Sequence, residues 1–405
     1  MIYKKLINRN ELFNFFMRSG DFVIKFLVSF ITIVILTKYV SVEQFGFYNL
    51  MQVFLGAGLS IGMFGIKPII FKKILRDNKF QFFVFPQLVF FNFLIFIFFS
   101  ILFYLLYNPP IIYLIVFLSI LSNPFNIFRY KYDALLNSGK YLLLDSLIKI
   151  LFLIIKVYIL VVFQSLPFLF FTIFCEYLFL SYAIVMISSF DFHLLKFSIL
   201  DSKKFLKLTT KPFFISICYL FFLKVDLIFV SKLCTDYDTG IYSFSSRLTD
   251  LLVMFPLLFI NTIQPRLNML FDSGRPALLE YIKTFISRIL TISPVILLIL
   301  YFTITNLVYS MFSNYSEFTS YFIFHILYIY LIFIMIVFDS FHHASQNYLF
   351  YLKRVIVILI LNFPLNYLLI LKLGAVGAII STNICFIVGI CLELYFFRVY
   401  FKNHA

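Results

Sequence analysis

The sequence predicts an all-α polytopic membrane protein, with about twelve transmembrane helices in two six-helix lobes around a central cavity. Three observations lead there. Of 405 residues, 63% are hydrophobic and only 13% charged, and the mean hydropathy is +1.02. A soluble domain of that size cannot hide so much apolar surface. The apolar residues also fall in runs of roughly 20, the length that crosses a bilayer, and no soluble stretch longer than about 25 residues separates them. Finally, the two halves of the chain echo one another.

The spans fall at approximately 13–37, 45–66, 81–106, 111–128, 143–163, 167–188, 212–231, 241–264, 289–310, 320–341, 354–371 and 375–397. Pro256 and Pro364 lie inside the eighth and eleventh and predict kinks. Lys4, Lys5 and Arg9 precede a first span too long for a signal-peptide core, so no cleavable signal is expected.

The repeat is carried by Thr37-Lys38 with Gly46-Phe47-Tyr48, matched by Ser231-Lys232 with Gly240-Ile241-Tyr242 at the same spacing. A weaker echo pairs Ala134 and Asn137 with Ala344 and Asn347. Each half would hold six helices. Six is even, so both halves enter from the same side and the repeat is parallel. Residues 1–190 form the N-terminal lobe, 191–211 a cytoplasmic linker and 212–405 the C-terminal lobe.

Orientation follows from the basic residues. Among 33 Lys and Arg, only Lys38, Lys232 and Lys372 fall in the odd-to-even connections, while Lys25, Lys149, Lys156, Lys224 and Arg247 fall within helices. The rest lie on the side of the termini, which places both termini in the cytoplasm. Topology and attraction to anionic lipid account for the net charge of +15, and no nucleic-acid partner is needed. The 60 Phe residues reflect codon usage. The absence of Trp leaves Tyr to supply the interfacial belt. Cys175, Cys218, Cys234, Cys385 and Cys391 are scattered and read as small core residues, with no metal or disulfide framework. No cofactor is expected beyond coupling to protons or sodium.

Ionisable groups in lipid are expensive and normally face a bundle interior or a wet cavity. The basic candidates are Lys25, Lys149, Lys156, Lys224 and Arg247. Glu176, Asp226, Asp250 and Asp339 are the acids at depth, candidate counter-ions or coupling groups. Asp226 and Arg247 flank one outer turn and are expected to pair. Arg247 with Asp250, and Asp145 with Lys149, are alternative local pairs. Lys25 and Lys156 are expected to be free and to face water, with Glu176 as a counter-ion to Lys25 or a proton carrier. His342-His343 reads as a solvated helix end, and His325 carries no specific signal.

Residues 17–50, "MRSGDFVIKFLVSFITIVILTKYVSVEQFGFYNL", resemble the first helices of polysaccharide flippases of the Wzx type. These belong to the multidrug/oligosaccharidyl-lipid/polysaccharide exporter superfamily. Residues 224–267 resemble the seventh and eighth helices of that family, and residues 361–382 its eleventh and twelfth. By this resemblance Asp226 matches the acid of the seventh helix, Lys224 a position where a basic residue is common, and Gly46, Gly240 and Tyr242 the turns.

The resemblance implies a bacterial inner-membrane flippase. It would carry undecaprenyl-pyrophosphate-linked oligosaccharide from the cytoplasmic to the outer leaflet by alternating access, beside a polysaccharide polymerase and a chain-length regulator. The glycan would be O-antigen in a lipopolysaccharide, or a capsule. The polyprenyl tail would stay in lipid, while Lys25, Lys149, Lys156, Lys224 and Arg247 would meet the pyrophosphate. The alternative is a multidrug exporter of the same superfamily, which needs acids in its cavity. A membrane polymerase or glycosyltransferase is disfavoured, because no long outer loop carries an acid, His or Arg cluster.

Overall fold

The computed structural model describes residues 9–67, 69–70, 80–134, 139–188, 198–273, 275–345 and 348–402. Among them every predicted span falls on helix. The elements are α1 (Arg9–Tyr39), α2 (Val42–Gly62), α3 (Phe80–Tyr107), a 3₁₀ helix (Ile111–Phe125) running into α4 (Asn126–Ala134), α5 (Gly139–Val162) and α6 (Leu166–Ser188). Then come α7 (Ile199–Leu233), α8 (Asp236–Ser273), α9 (Arg275–Met311), α10 (Phe318–Ser345), α11 (Tyr348–Leu373) and α12 (Val376–Lys402). Among the described residues, eight helices are long and apolar enough to cross a membrane on length and composition alone. Helix α5 is not among them, because Asp145, Lys149 and Lys156 interrupt its apolar run.

The longest helices overrun the predicted spans. Helix α8 has 38 residues, about 57 Å at 1.5 Å per residue, against a hydrocarbon core of about 30 Å. The expected inter-lobe linker at 191–211 is helical from Ile199 on, where α7 begins. Pro256 and Pro364 sit inside α8 and α11 without ending either. Asn137 and Asn347, the weaker echo, lie outside the described residues, as does residue 343 on the side-chain level.

The fourth span departs from an ordinary α-helix. Burial there repeats every three residues: Phe117, Ile120 and Asn123 form one row and Val116, Ser119 and Ser122 the next. A 3₁₀ helix eclipses side chains at i and i+3, so both rows stay inside. Asn123 uses this placement to donate to the Leu59 carbonyl at 2.7 Å and to Asn92 Oδ1 at 3.1 Å. Asn92 in turn donates to the Gly62 carbonyl at 2.9 Å. These bonds satisfy buried amides that would each cost about 1–3 kcal/mol if left bare.

The chain divides into two units, Met1–Val40 with Met51–Ile217, and Ser41–Leu50 with Cys218–Ala405. In the first, α1 packs on α5, α5 on α6, and the 3₁₀ helix on α3 and α6. Gly65 has φ +58°, and a Cβ there would lie 2.7 Å from the Pro212 carbonyl carbon, so the position takes glycine on both counts. In the second unit α10 packs against α8, α9 and α12, and α11 against α12. The repeat motif is buried there. Phe45 and Phe244 meet edge to face at 6.1 Å, and Tyr315 packs on both. Lipid is as apolar as Phe, so such clusters stabilise through close packing, at about 0.5–1.5 kcal/mol per aromatic pair, and not through exclusion of water.

Candidate functional site

In the first unit, charges from three helices meet around Asp145. Helix α1 brings Asp21 and Lys25 one turn apart. Helix α4 ends in a short amphipathic stretch that brings Arg129. Helix α5 brings Asp145 and Lys149, again one turn apart. Lys149 Nζ donates to Asp145 Oδ2. Arg129 Nη2 stands 2.8 Å from Asp145 Oδ1, and Lys25 Nζ 3.8 Å from Asp145 Oδ2. Lys25 also donates to Asp21. The carboxylates are buried and Lys149 nearly so, while Lys25 is 40% exposed. Three cations face two anions, so the cluster keeps one positive charge in excess, and Lys25 carries it outward.

This corrects the expectation that Lys25 is free. Its partner Asp21 lies at i−4 on the same helix, a spacing legible in the sequence. Asp145 pairs with Lys149 as its spacing suggested. Arg129 stands just past the fourth predicted span, and helix α4 brings it to Asp145.

Lys156 is corrected more sharply. It donates to Glu176 of α6, and both side chains are only 12% exposed. Glu176 therefore serves Lys156 and not Lys25. A pair of opposite charges closed between α5 and α6 holds two helices together and presents no free charge.

In the second unit, the expected Asp226–Arg247 pair does not form. Asp226 Oδ2 accepts from the Tyr242 hydroxyl at 2.5 Å, and its Oδ1 from the Leu227 amide at 2.7 Å. Arg247 Nε donates instead to Asn49 Oδ1 at 2.5 Å. Asp250 takes Lys224, at 2.9 and 3.1 Å, with side chains 39 and 33% exposed. The Asp226 carboxylate faces the next helix at the height of Tyr242, so a hydroxyl satisfies it with no charge needed. Lys224, Asp226, Tyr242, Asp250, His325 and Thr382 border a cavity of about 20 Å³, enough for one water. His325 Nδ1 lies 2.8 Å from Ser245 Oγ at its edge.

Two further expectations change. His342 is buried and not solvated, with Nε2 2.8 Å from Glu393 Oε2. Asp339 meets Arg354 Nη2 at 2.5 Å. Arg354 had counted as a loop charge, but α11 begins at Tyr348 and places it in the second turn, buried. Glu393 is a lone acid in an Ile- and Phe-rich twelfth helix and gives no local pattern. Among the described residues no group of His, Cys, Asp and Glu has the arrangement of a metal site.

No protein-family model matches the chain, and no curated protein does. Solved structures do. A lipid II flippase, MurJ, in an inward closed conformation superposes with a TM-score of 0.72 at 16% identity, covering 96% of this chain and 87% of that one. An inward-facing multidrug resistance MATE transporter of the MOP superfamily gives 0.65 at 13% identity, over 94 and 96%. A variant of the Vibrio cholerae MATE transporter VcmN gives 0.62 at 15%, over 96% of each chain. The chain therefore shares its fold with these solved transporters.

Proposed function

We propose that this chain is a flippase. It carries an undecaprenyl-pyrophosphate-linked oligosaccharide from the cytoplasmic to the outer leaflet of a bacterial inner membrane, by alternating access and without covalent chemistry. One observation carries the reading: the unbalanced positive charge of Lys25, Arg129 and Lys149 around Asp21 and Asp145, exposed at Lys25. A pyrophosphate supplies the missing negative charge and accepts charge-assisted hydrogen bonds. Arg129 adds the planar fork that lysine lacks. Lys224, in the second unit, is offset by Asp250. Arg247 is held by Asn49 and serves as a positioning group, while Lys156 is left out.

The second unit carries an apolar surface of its own, and the polyprenyl tail stays in lipid. A groove of about 460 Å³ runs between α8, α9 and α10, walled by Leu252, Phe255, Ile292, Leu297 and Phe333, with Arg288 among its lining residues. With both termini inside, loading occurs from the cytoplasmic side. An inside-negative potential then favours outward movement of an anion by about 2.3 kcal/mol per charge per 100 mV. A polymerase and a chain-length regulator would act on the delivered units, whether for O-antigen or capsule.

The similarity to MATE structures supports a second reading, export of cationic drugs. A cationic drug is repelled by the Lys25 cluster, so the balance of charge favours the anionic cargo. Deletion of the gene separates the two. The flippase reading expects lipid-linked repeat units to accumulate in the cytoplasmic leaflet with unchanged drug susceptibility. Drug sensitisation with normal surface glycan would support the exporter.

A further inference from the structure

Helix α9 is the least buried of the eight long apolar helices, with 11% of its apolar span buried. Along it Phe285, Ile289, Ile292, Ile296 and Leu300 recur every three or four residues and form one stripe. That stripe, with Leu252 and Phe255 of α8 and Phe333 and Ile336 of α10, walls the groove of about 460 Å³ in the second unit. Both ends close on packed side chains. Beyond one end, Leu267, Leu278, Ile282 and Phe338 belong to a single buried cluster that joins α8, α9 and α10. Beyond the other, Tyr301 stacks on Phe322 at 6.0 Å and brings α9 back to α10. Ile292 and Ile296 are 55 and 50% exposed, so the groove is open along its side.

The lining carries one charge. Arg288 borders the groove and is exposed. It stands immediately before the ninth predicted span, at the depth of lipid headgroups. Among the described residues no carboxylate pairs with its guanidinium. The lining hydroxyl, Ser293, is buried and donates to the Ile289 carbonyl at 2.6 Å. Past Arg288 the surface therefore offers a ligand nothing to hydrogen-bond. The matching ligand is an anion attached to an apolar chain. Clefts of this volume and character hold such chains, and basic groups between membrane helices near the interface take anionic lipid headgroups.

Length selects among amphiphiles. From Arg288 to Leu300 the groove follows α9 for about 18 Å. One leaflet supplies about 15 Å of hydrocarbon, half of the bilayer core. An acyl chain rooted at the interface ends near where the groove ends, whereas a polyprenyl tail, several times longer, overruns it. We propose that this groove holds one anionic glycerophospholipid as a resident ligand, with its phosphodiester at Arg288 and one acyl chain along α9. The second chain stays in the bilayer. The lipid fills the space between α8, α9 and α10 and steadies the least buried helix. With both termini inside, it comes from the cytoplasmic leaflet. Only that last point rests on the orientation proposed above, and the site is independent of the cargo.

The full chain is purified in detergent, supplied with phosphatidylglycerol and phosphatidylcholine in equal amounts, and examined by native mass spectrometry. It is expected to keep one phosphatidylglycerol per chain. Arg288→Gln removes the headgroup contact, and Ile296→Trp fills the groove from its open side. Each should lower retention several-fold, while Arg288→Lys should keep most of it. Ile299→Trp, at an exposed position of α9 outside the groove, should leave retention unchanged. Equal retention of the two lipids, or retention untouched by both Arg288→Gln and Ile296→Trp, shows adventitious contact only and overturns the proposal.

Thermal unfolding of the unsubstituted chain gives a second readout that needs no variant. Phosphatidylglycerol should raise the midpoint more than phosphatidylcholine does, because a ligand that binds the folded state stabilises it, and high salt should shrink the difference. Equal midpoints in the two lipids overturn the proposal. A long polyprenyl phosphate that displaces phosphatidylglycerol at equal concentration would assign the groove to an isoprenoid ligand and overturn it as well. None of these results bears on the flippase reading, which is tested by the accumulation of lipid-linked units.

Discussion

Gly46 and Gly240, the matching glycines of the two half-chain motifs, touch each other in the fold. A Cβ on Gly46 would lie 2.9 Å from the Gly240 amide nitrogen. A Cβ on Gly240 would lie 2.1 Å from the Val42 carbonyl oxygen and 2.5 Å from Val42 Cγ1. The repeat thus places its small residues where the starts of α2 and α8 cross. Small residues let membrane helices approach backbone to backbone. Gly240→Ala should therefore lower stability by about 1–3 kcal/mol, read as a drop in thermal midpoint in detergent. Gly56→Ala, where nothing lies within 4 Å, should be neutral or slightly stabilising. Equal midpoints for the two variants would remove the crossing.

Tyr242, two residues on, closes the motif by its bond to Asp226. Tyr242→Phe leaves that carboxylate with one partner fewer and should cost about 1–3 kcal/mol. Asp226→Asn with Tyr242→Phe should recover part of the loss, because the charge that needed the hydroxyl is gone. A double-mutant cycle in thermal stability reads the coupling, and additive losses would show that the bond contributes nothing.

The Lys156–Glu176 pair should behave as structure. Lys156→Met alone strands a buried carboxylate and should destabilise by about 3–5 kcal/mol. Lys156→Met with Glu176→Leu should restore most of that stability, and surface glycan with it. Restored stability with glycan still absent would return Lys156 to the transport path.

How far the sequence foretold this arrangement differs by element. The helices were legible as apolar runs of about 20 residues, and eight of those described qualify as spans by length and composition. The glycine match was legible as a repeat, though nothing local said that the two copies touch. Lys25 with Asp21 and Lys149 with Asp145 stand at i,i+4 and could be read from spacing alone. Partners on different helices could not. Glu176 for Lys156, Tyr242 for Asp226 and Asn49 for Arg247 depend on which faces meet. Arg354 illustrates the hardest case. A basic residue just after a short connection looks like a topology marker, and only the early start of α11 takes it inside.

Asp145 is predicted to be the stabilising centre of its cluster. Asp145→Asn would leave Lys25, Arg129 and Lys149 facing Asp21 alone. Like charges at that range should cost about 3 kcal/mol or more, measured by thermal unfolding. Lys25→Ala, by contrast, removes an exposed cation and should cost about 1 kcal/mol or less. A Lys25→Ala protein as unstable as Asp145→Asn would assign Lys25 to the scaffold.

That difference isolates the central claim. Lys25→Ala and Lys25→Arg are compared in a strain lacking the chromosomal copy, at matched membrane abundance, by quantifying lipid-linked repeat units in the cytoplasmic leaflet. The account predicts accumulation with Lys25→Ala, near that of the empty strain, and little with Lys25→Arg, which keeps the charge. Normal turnover of lipid-linked units by the Lys25→Ala protein would contradict it.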